Sequence, residues 1–115
     1  MYQFSYAEVI DDSPREMRAR ERQAMDHAIQ LLRTAQEKGP RSREVIDALF
    51  YLRRLWSIFM NDLNHPENEL PQQLRAGLIS IGIWMNKEIE RVRTGATGDL
   101  TPMIEINEII RDGLT

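Results

Sequence analysis

Hydrophobic residues recur along this chain with the spacing of α-helices. The clearest row steps by four, three, four, three and four residues, a period that keeps one apolar stripe on one side of a helix. Its members are Val45, Leu49, Leu52, Trp56, Phe59 and Leu63. Such a stripe needs partner helices, and the segments on both sides of it supply them. The pattern predicts an all-α fold, a small helical bundle of three long helices plus a short C-terminal helix.

Capping residues, glycines and prolines mark where these helices begin and end. Ser13, Ser42 and Thr101 are expected to cap helix starts, and Pro71 to stand first in the third helix. Gly39-Pro40 and Gly95 are expected to end helices. The sequence therefore predicts one domain over residues 1–115, with an aromatic N-terminal arm at 1–12 and helices at 13–38, 42–64, 71–94 and 101–112.

The other three predicted helices carry apolar rows of their own. In the first helix the main stripe is Ala24, Ala28, Leu31 and Ala35, widened by Met25, Ile29 and Leu32. In the third helix the core line is Leu74, Leu78, Ile81, Met85 and Val92, and in the fourth it is Met103, Ile106 and Ile110. These rows predict which residues form the core.

The third predicted helix is hydrophobic on more than one side. Between Leu78 and Met85 only Ser80 is polar, so apolar side chains are left over from a single core stripe. Either helix 4 or the aromatic arm covers this second face, or the face is a groove for a partner. The two alternatives are compatible if a movable element of the chain covers the groove until a partner replaces it.

A partner groove on this helix would use its surplus apolar residues and its glycines, which leave room for another backbone. Aromatic residues of the N-terminal arm would form an adjustable flank. The predicted partner-binding residues are Tyr2, Phe4, Tyr6, Gly77, Ile79, Gly82, Ile83 and Trp84.

Composition excludes several classes of function. The 115 residues include 15 Lys and Arg against 18 Asp and Glu, so a net charge of −3 gives no general attraction for nucleic acid or anionic membranes. Cysteine is absent, which removes disulfides and thiolate chemistry. The N-terminus has no secretory-signal pattern, and no apolar run approaches the ~20 residues of a membrane span. A soluble, cytoplasmic protein is expected.

A short basic stripe on the first helix is the alternative binding site. Arg15, Arg18 and Arg22 share the face opposite its small apolar residues, and phosphate contacts with RNA would use them. Glu16 and Glu21 dilute the stripe, and such a stripe is more often a solvated face.

No group of residues has the composition of a catalytic or metal site. Glu105, Glu108 and Asp112 share one side of the fourth helix but lack the histidines that a metal site in a helical bundle requires. His27 and His65 have no suitably spaced acidic or histidine neighbours. We expect no enzymatic activity, no metal and no other cofactor.

Seven stretches of the sequence together resemble the FlaF family of flagellar biosynthesis regulators from alphaproteobacteria. They are YQFSYAE at 2–8, DSPRE at 12–16, GPRSRE at 39–44, LRRLW at 52–56, HPENELP at 65–71, LISIGIW at 78–84 and IEINEIIRDGL at 104–114. The resemblance covers nearly the whole length, and none of the stretches is a catalytic signature.

The resemblance implies a small cytoplasmic non-enzyme that works with the regulator FlbT and with flagellin subunits, promoting flagellin synthesis or export. A chaperone that captures flagellin is the leading interpretation, since a helical bundle with a surplus apolar face suits an amphipathic segment of an export substrate. An RNA-binding regulator of flagellin mRNA translation is the alternative. The resemblance assigns no residue as a partner contact.

Overall fold

The computed structural model describes residues 14–114, which form four α-helices. They are α1 (Pro14–Lys38), α2 (Arg43–Asn64), α3 (Gln72–Arg93) and α4 (Thr101–Gly113). No strand occurs within this range. The predicted all-α fold of three long helices and a short C-terminal helix is confirmed. None of the helices in this range has the length and hydrophobicity needed to cross a membrane.

Helix α2 is the centre of the bundle. It packs against α1 and α3, and α1 also packs against α4. Leu52 and Trp56 of the predicted stripe are fully buried, while Phe59 is half-buried and meets the Trp56 ring edge-on, with centroids 5.3 Å apart. Burying a large apolar side chain stabilises a fold by roughly 1.5–3 kcal/mol, so this row is a main source of stability.

The buried side of α1 is displaced from the predicted one. Ala28 and Ala35 of the predicted main stripe are fully buried together with Met25, Ile29 and Leu32, whereas Ala24 and Leu31 are only half-buried. Because α1 contacts both α2 and α4, the larger side chains that were expected to widen the stripe lie at its centre.

Helix α4 buries a polar residue that its apolar row did not predict. Asn107 is fully buried beside Met103 and Ile104, while Ile106 and Ile110 of the predicted row are half-buried. The Asn107 amide group satisfies its hydrogen bonds internally, so an asparagine takes the central position on the buried face.

Two helices end as predicted, at glycines with positive φ. Gly39 has φ +101° after α1, and Gly95 has φ +82° after α3. Residues with side chains rarely adopt this left-handed conformation, so these glycines allow the chain to turn out of each helix.

Ser42 stands at the N-cap of α2 as predicted but makes no capping hydrogen bond with its side chain, and the predicted cap at Thr101 is wrong. Ser42 precedes α2, but its hydroxyl donates to the Gly39 carbonyl at 2.8 Å and caps no helix N–H. Thr101 is the first residue of α4 rather than its cap, and its N–H donates to Asp99 Oδ1 at 3.0 Å. Leu100 occupies the N-cap of α4, and the Asp99 carboxylate accepts the N–H of the first helical residue. Ser13 lies outside the described residues, and Pro71 stands at the N-cap of α3.

A side chain of α1 fixes where α4 begins. The Leu100 N–H donates to Gln36 Oε1 at 2.8 Å, and Gln36 Nε2 donates to Thr101 Oγ1 at 3.2 Å. With Leu100 buried, these contacts hold the start of α4 against the C-terminal half of α1.

Candidate protein-binding surfaces

The outer side of α3 carries exposed apolar side chains at the positions predicted for partner binding. Ile83 is 49% exposed and its neighbour Trp84 is 36% exposed, while Ile79 is half-buried one turn earlier. We call Ile79, Ile83 and Trp84 the α3 face. These side chains lie away from Met85 and Ile89, which are buried in the core.

The two glycines of α3 differ in their surroundings. Gly77 is exposed, and a Cβ atom built there would meet nothing within 4 Å. Gly82 is buried, and a Cβ there would collide with the sulfur of Met60 on α2. The space at Gly82 therefore serves close packing between α2 and α3, not the approach of a partner as the sequence suggested.

The aromatic flank predicted for this site, Tyr2, Phe4 and Tyr6, lies outside the described residues.

An apolar cavity opens at the end of the bundle where α1 and α3 begin and where α2 and α4 end. Its volume is about 380 Å³. We call it the end groove. Its apolar lining consists of Phe59, Leu63, Leu70, Leu74, Leu78, Ile109, Ile110 and Leu114, and its polar lining of Arg18, Glu21, Asp62 and Asn68, with Gly113 beside them.

Leu74 in this groove corrects the predicted core line of α3. It is 51% exposed, although its spacing from Leu78 placed it in the core. Leu74 lies in the first turn of α3 and lines this cavity, so the apolar spacing continues there without full burial.

Helix α2 carries a third apolar surface, which was not predicted from the sequence. Ile46 and Phe50 are 68% and 65% exposed, and they border a cavity whose floor includes Leu49, Ile89 and Val92. Ile58, further along α2, is 65% exposed. The sequence does contain an indication of this surface. Positions 46, 50 and 58 are apolar, are spaced by four and eight residues, and do not belong to the core row.

Charged groups border the cavity beside Ile46 and Phe50. Glu90 of α3 accepts hydrogen bonds from Arg53 of α2 and from Arg93, whose Nε lies 2.8 Å away. Hydrogen bonds from Arg93 and then Arg53 lower the pKa of Glu90 to about 2. This ion-pair cluster joins α2 to α3 on the exposed side of the bundle.

The pKa of Glu21, in the end groove, is shifted in the opposite direction from that of Glu90. Burial, and then the negative charge of Asp62, raise the pKa of Glu21, with Arg18 opposing them. A carboxylate held against apolar side chains is therefore disfavoured at this end of the bundle.

The alternative basic stripe is only partly described. Arg15 has its side chain outside the described part of the chain, while Arg18 and Arg22 are both exposed one helical turn apart. Arg18 borders the end groove, and Arg22 borders a separate polar depression that also holds Asp26 and Arg111. Arg111 Nη1 donates to Asp26 Oδ1 at 2.9 Å, so carboxylates accompany the arginines here.

Four of the five acidic and histidine residues weighed as metal ligands have other contacts. Glu108 pairs with Arg33 of α1, Asp112 pairs with Arg111, and Glu105 is exposed. His27 packs edge-on against Tyr51, and His65 Nδ1 accepts the Glu67 N–H at 3.1 Å. Within residues 14–114 no group of three or more such residues is arranged to hold a metal ion.

Comparisons with known proteins identify the family. A search of curated proteins and a search of solved structures each gave no significant match. A family model described as flagellar protein FlaF matches residues 2–114, nearly the entire chain. The resemblance found in the sequence is thereby confirmed, and the chain belongs to the FlaF family of flagellar proteins.

Proposed function

We propose that this protein is a non-enzymatic, cytoplasmic binding protein that captures flagellin and promotes its synthesis or export together with FlbT. Membership of the FlaF family supports a role in the flagellum. The α3 face supports a role in binding, because its exposed side chains are apolar and suit contact with another protein. A catalytic or metal site would need polar groups instead.

The observation that carries this proposal is the exposure of neighbouring apolar side chains on one rigid helix. Ile83 and Trp84 are 49% and 36% exposed, on the helix that buries Met85 and Ile89 in the core. An amphipathic helix recognises such a surface by placing residues at i, i+3, i+4 and i+7 against it. Flagellin termini form helices that are prone to aggregate when uncovered, so they suit this mode of binding.

Trp84 is the expected anchor of the α3 face. Large aromatic side chains that become desolvated at an interface contribute most often to binding free energy, so Trp84→Ala is expected to weaken flagellin binding by about 2 kcal/mol or more. Part of Trp84 is covered in the free protein, and its replacement therefore also tests the fold.

The experiment measures the affinity of purified flagellin for the wild type, Trp84→Ala and Ile83→Asp. Ile58→Asp is the matched control, since Ile58 is an exposed isoleucine on another surface. We expect Trp84→Ala and Ile83→Asp to weaken binding and Ile58→Asp to leave it unchanged, with unfolding midpoints near the wild-type value for both aspartate variants. Flagellin affinity that survives Ile83→Asp and Trp84→Ala would reject the α3 face as the site.

RNA binding at Arg18 and Arg22 is the alternative that the same variants can separate. Contacts to phosphates would give an affinity for flagellin mRNA that falls steeply with salt. If the double variant Arg18→Glu and Arg22→Glu no longer promotes flagellin synthesis or export, while Ile83→Asp still does, RNA binding is favoured over protein capture.

A further inference from the structure

The end groove lies beside the point where the N-terminal arm joins the bundle. Arg18 and Glu21, in the first two turns of α1, line this groove. Pro14 is the first residue of α1 and precedes Arg18 by four residues, or about 6 Å at 1.5 Å per residue. Residues 1–13 therefore enter the fold at the rim of the groove.

The groove exists because two helices do not cover each other. Among the described residues, α3 and α4 share no extensive contact, although both present apolar side chains to the same cavity. Leu74 of α3 is 51% exposed and Ile109 of α4 is 66% exposed. An apolar segment that enters from the start of α1 would cover both.

The arm has the composition and the length to be that segment. Its apolar residues include Tyr2, Phe4, Tyr6, Val9 and Ile10. Thirteen extended residues span about 43–47 Å at ~3.3–3.6 Å each, and the described part of the protein is 46 Å long in its largest dimension. Because the arm is covalently attached beside the groove, its docking would be an intramolecular event, with an effective concentration on the order of 10⁻³ M.

We propose that residues 1–13 of this chain dock in the end groove and cover Leu74 and Ile109. The arm then completes the bundle between α3 and α4, and any partner that uses this end of α3 competes with it. The proposal concerns contacts within one chain and holds whether or not flagellin binds the α3 face.

The absence of cysteine from the sequence allows a direct test in the full-length protein. Ser5→Cys, between two aromatic residues of the arm, is combined with Ile109→Cys at the groove. The control combines Ser5→Cys with Ile58→Cys, because Ile58 and Ile109 are equally exposed isoleucines, at 65% and 66%. Both pairs are treated with a short bis-maleimide cross-linker.

The control position is within reach of the arm. Ile58 borders the same shallow cavity as Ala24, which is ten residues along α1 from Pro14, or about 15 Å at 1.5 Å per residue. Nine extended residues from Ser5 to Pro14 span about 30 Å at ~3.3 Å each. A difference between the two pairs therefore reports docking and not tether length.

We expect the groove pair to cross-link within one chain several times faster than the control pair. Leu74→Asp in the groove pair is expected to abolish that preference, while Ile83→Asp, at a similarly exposed position of α3, is expected to keep it. Equal rates for the two pairs, a preference that survives Leu74→Asp, or cross-links mainly between chains would each overturn the proposal.

Discussion

Trp56 of α2 and Asn107 of α4 are joined by a hydrogen bond in the centre of the protein. Trp56 Nε1 donates to Asn107 Oδ1 at 2.9 Å, and both residues are fully buried. Asn107 Nδ2 donates to the Met103 carbonyl at 2.7 Å and lies 3.7 Å from the sulfur of Met85 on α3. One amide thus links α4 to the helix on which α3 packs, which fixes the position of the short helix.

Substitutions at this pair are expected to be strongly coupled. Asn107→Ala leaves the buried indole N–H without an acceptor and should cost about 1–3 kcal/mol, and Trp56→Ala should cost roughly 3–5 kcal/mol because it also leaves a cavity. Trp56→Phe with Asn107→Leu removes both polar groups and should cost less than the sum of the single changes Trp56→Phe and Asn107→Leu, each of which leaves a buried polar group without its partner. Urea unfolding measures these differences, and additive free energies would contradict the coupling.

The two glycines of α3 provide a matched pair of substitutions. Gly77→Ala meets no neighbour and lowers the entropy of the unfolded chain, so it should stabilise the protein by about 0.4–1 kcal/mol. At Gly82 the same change must displace Met60, so it should give a lower thermal midpoint than Gly77→Ala. Equal midpoints would show that the contact with Met60 does not constrain position 82.

The ion pairs of Glu90 are expected to make stability fall in acid. The pKa of this carboxyl group in the folded protein is about 2, below its ordinary value of 4.5. Its contribution is therefore present above pH 4.5 and is lost as the pH falls through about 2. Glu90→Gln should flatten the decline of the urea midpoint over this range, and salt should weaken the effect. Glu105→Gln, which removes an exposed carboxylate of α4, is the matched control.

The charge of Glu21 is expected to lower the stability of the folded protein, whereas the charge of Glu90 raises it. Burial and Asp62 raise its pKa, so the folded state disfavours the charged form, and stability from this residue is lost as the pH rises through the raised pKa. Glu21→Gln should therefore stabilise the protein at neutral pH and have little effect below the ordinary pKa of 4.5. A destabilised variant at neutral pH would show that the Glu21 charge is held by favourable contacts.

Apolar spacing and glycine positions predicted the helices because these signals are local. The row through Leu52 and Trp56 was predicted from the helical period of 3.6 residues alone. The helix end at Gly39 was predicted from the preference of glycine for the left-handed conformation. Asn107 was missed because the core was predicted from apolar residues alone. Its burial depends on a hydrogen bond with Trp56, fifty-one positions away.

The binding surfaces were less predictable for a related reason. Periodicity states which side of a helix is apolar but not how far its partner extends, so Leu74 was assigned to the core and Phe50 was overlooked. The surplus of apolar residues around Ile83, which one core stripe does not need, left open whether the α3 face is covered or exposed. The use of Gly82 against Met60 depends on the register between α2 and α3, and the sequence of either helix alone does not contain it.

Capture of flagellin through apolar contacts is tested most directly by calorimetric titration of purified flagellin into the full-length protein at several temperatures and salt concentrations. Burial of the α3 face predicts saturable binding with a negative heat-capacity change and little dependence on salt, and Ile83→Asp should remove the signal. No binding of purified flagellin, or an affinity that requires RNA and falls steeply as salt is raised, would contradict the account.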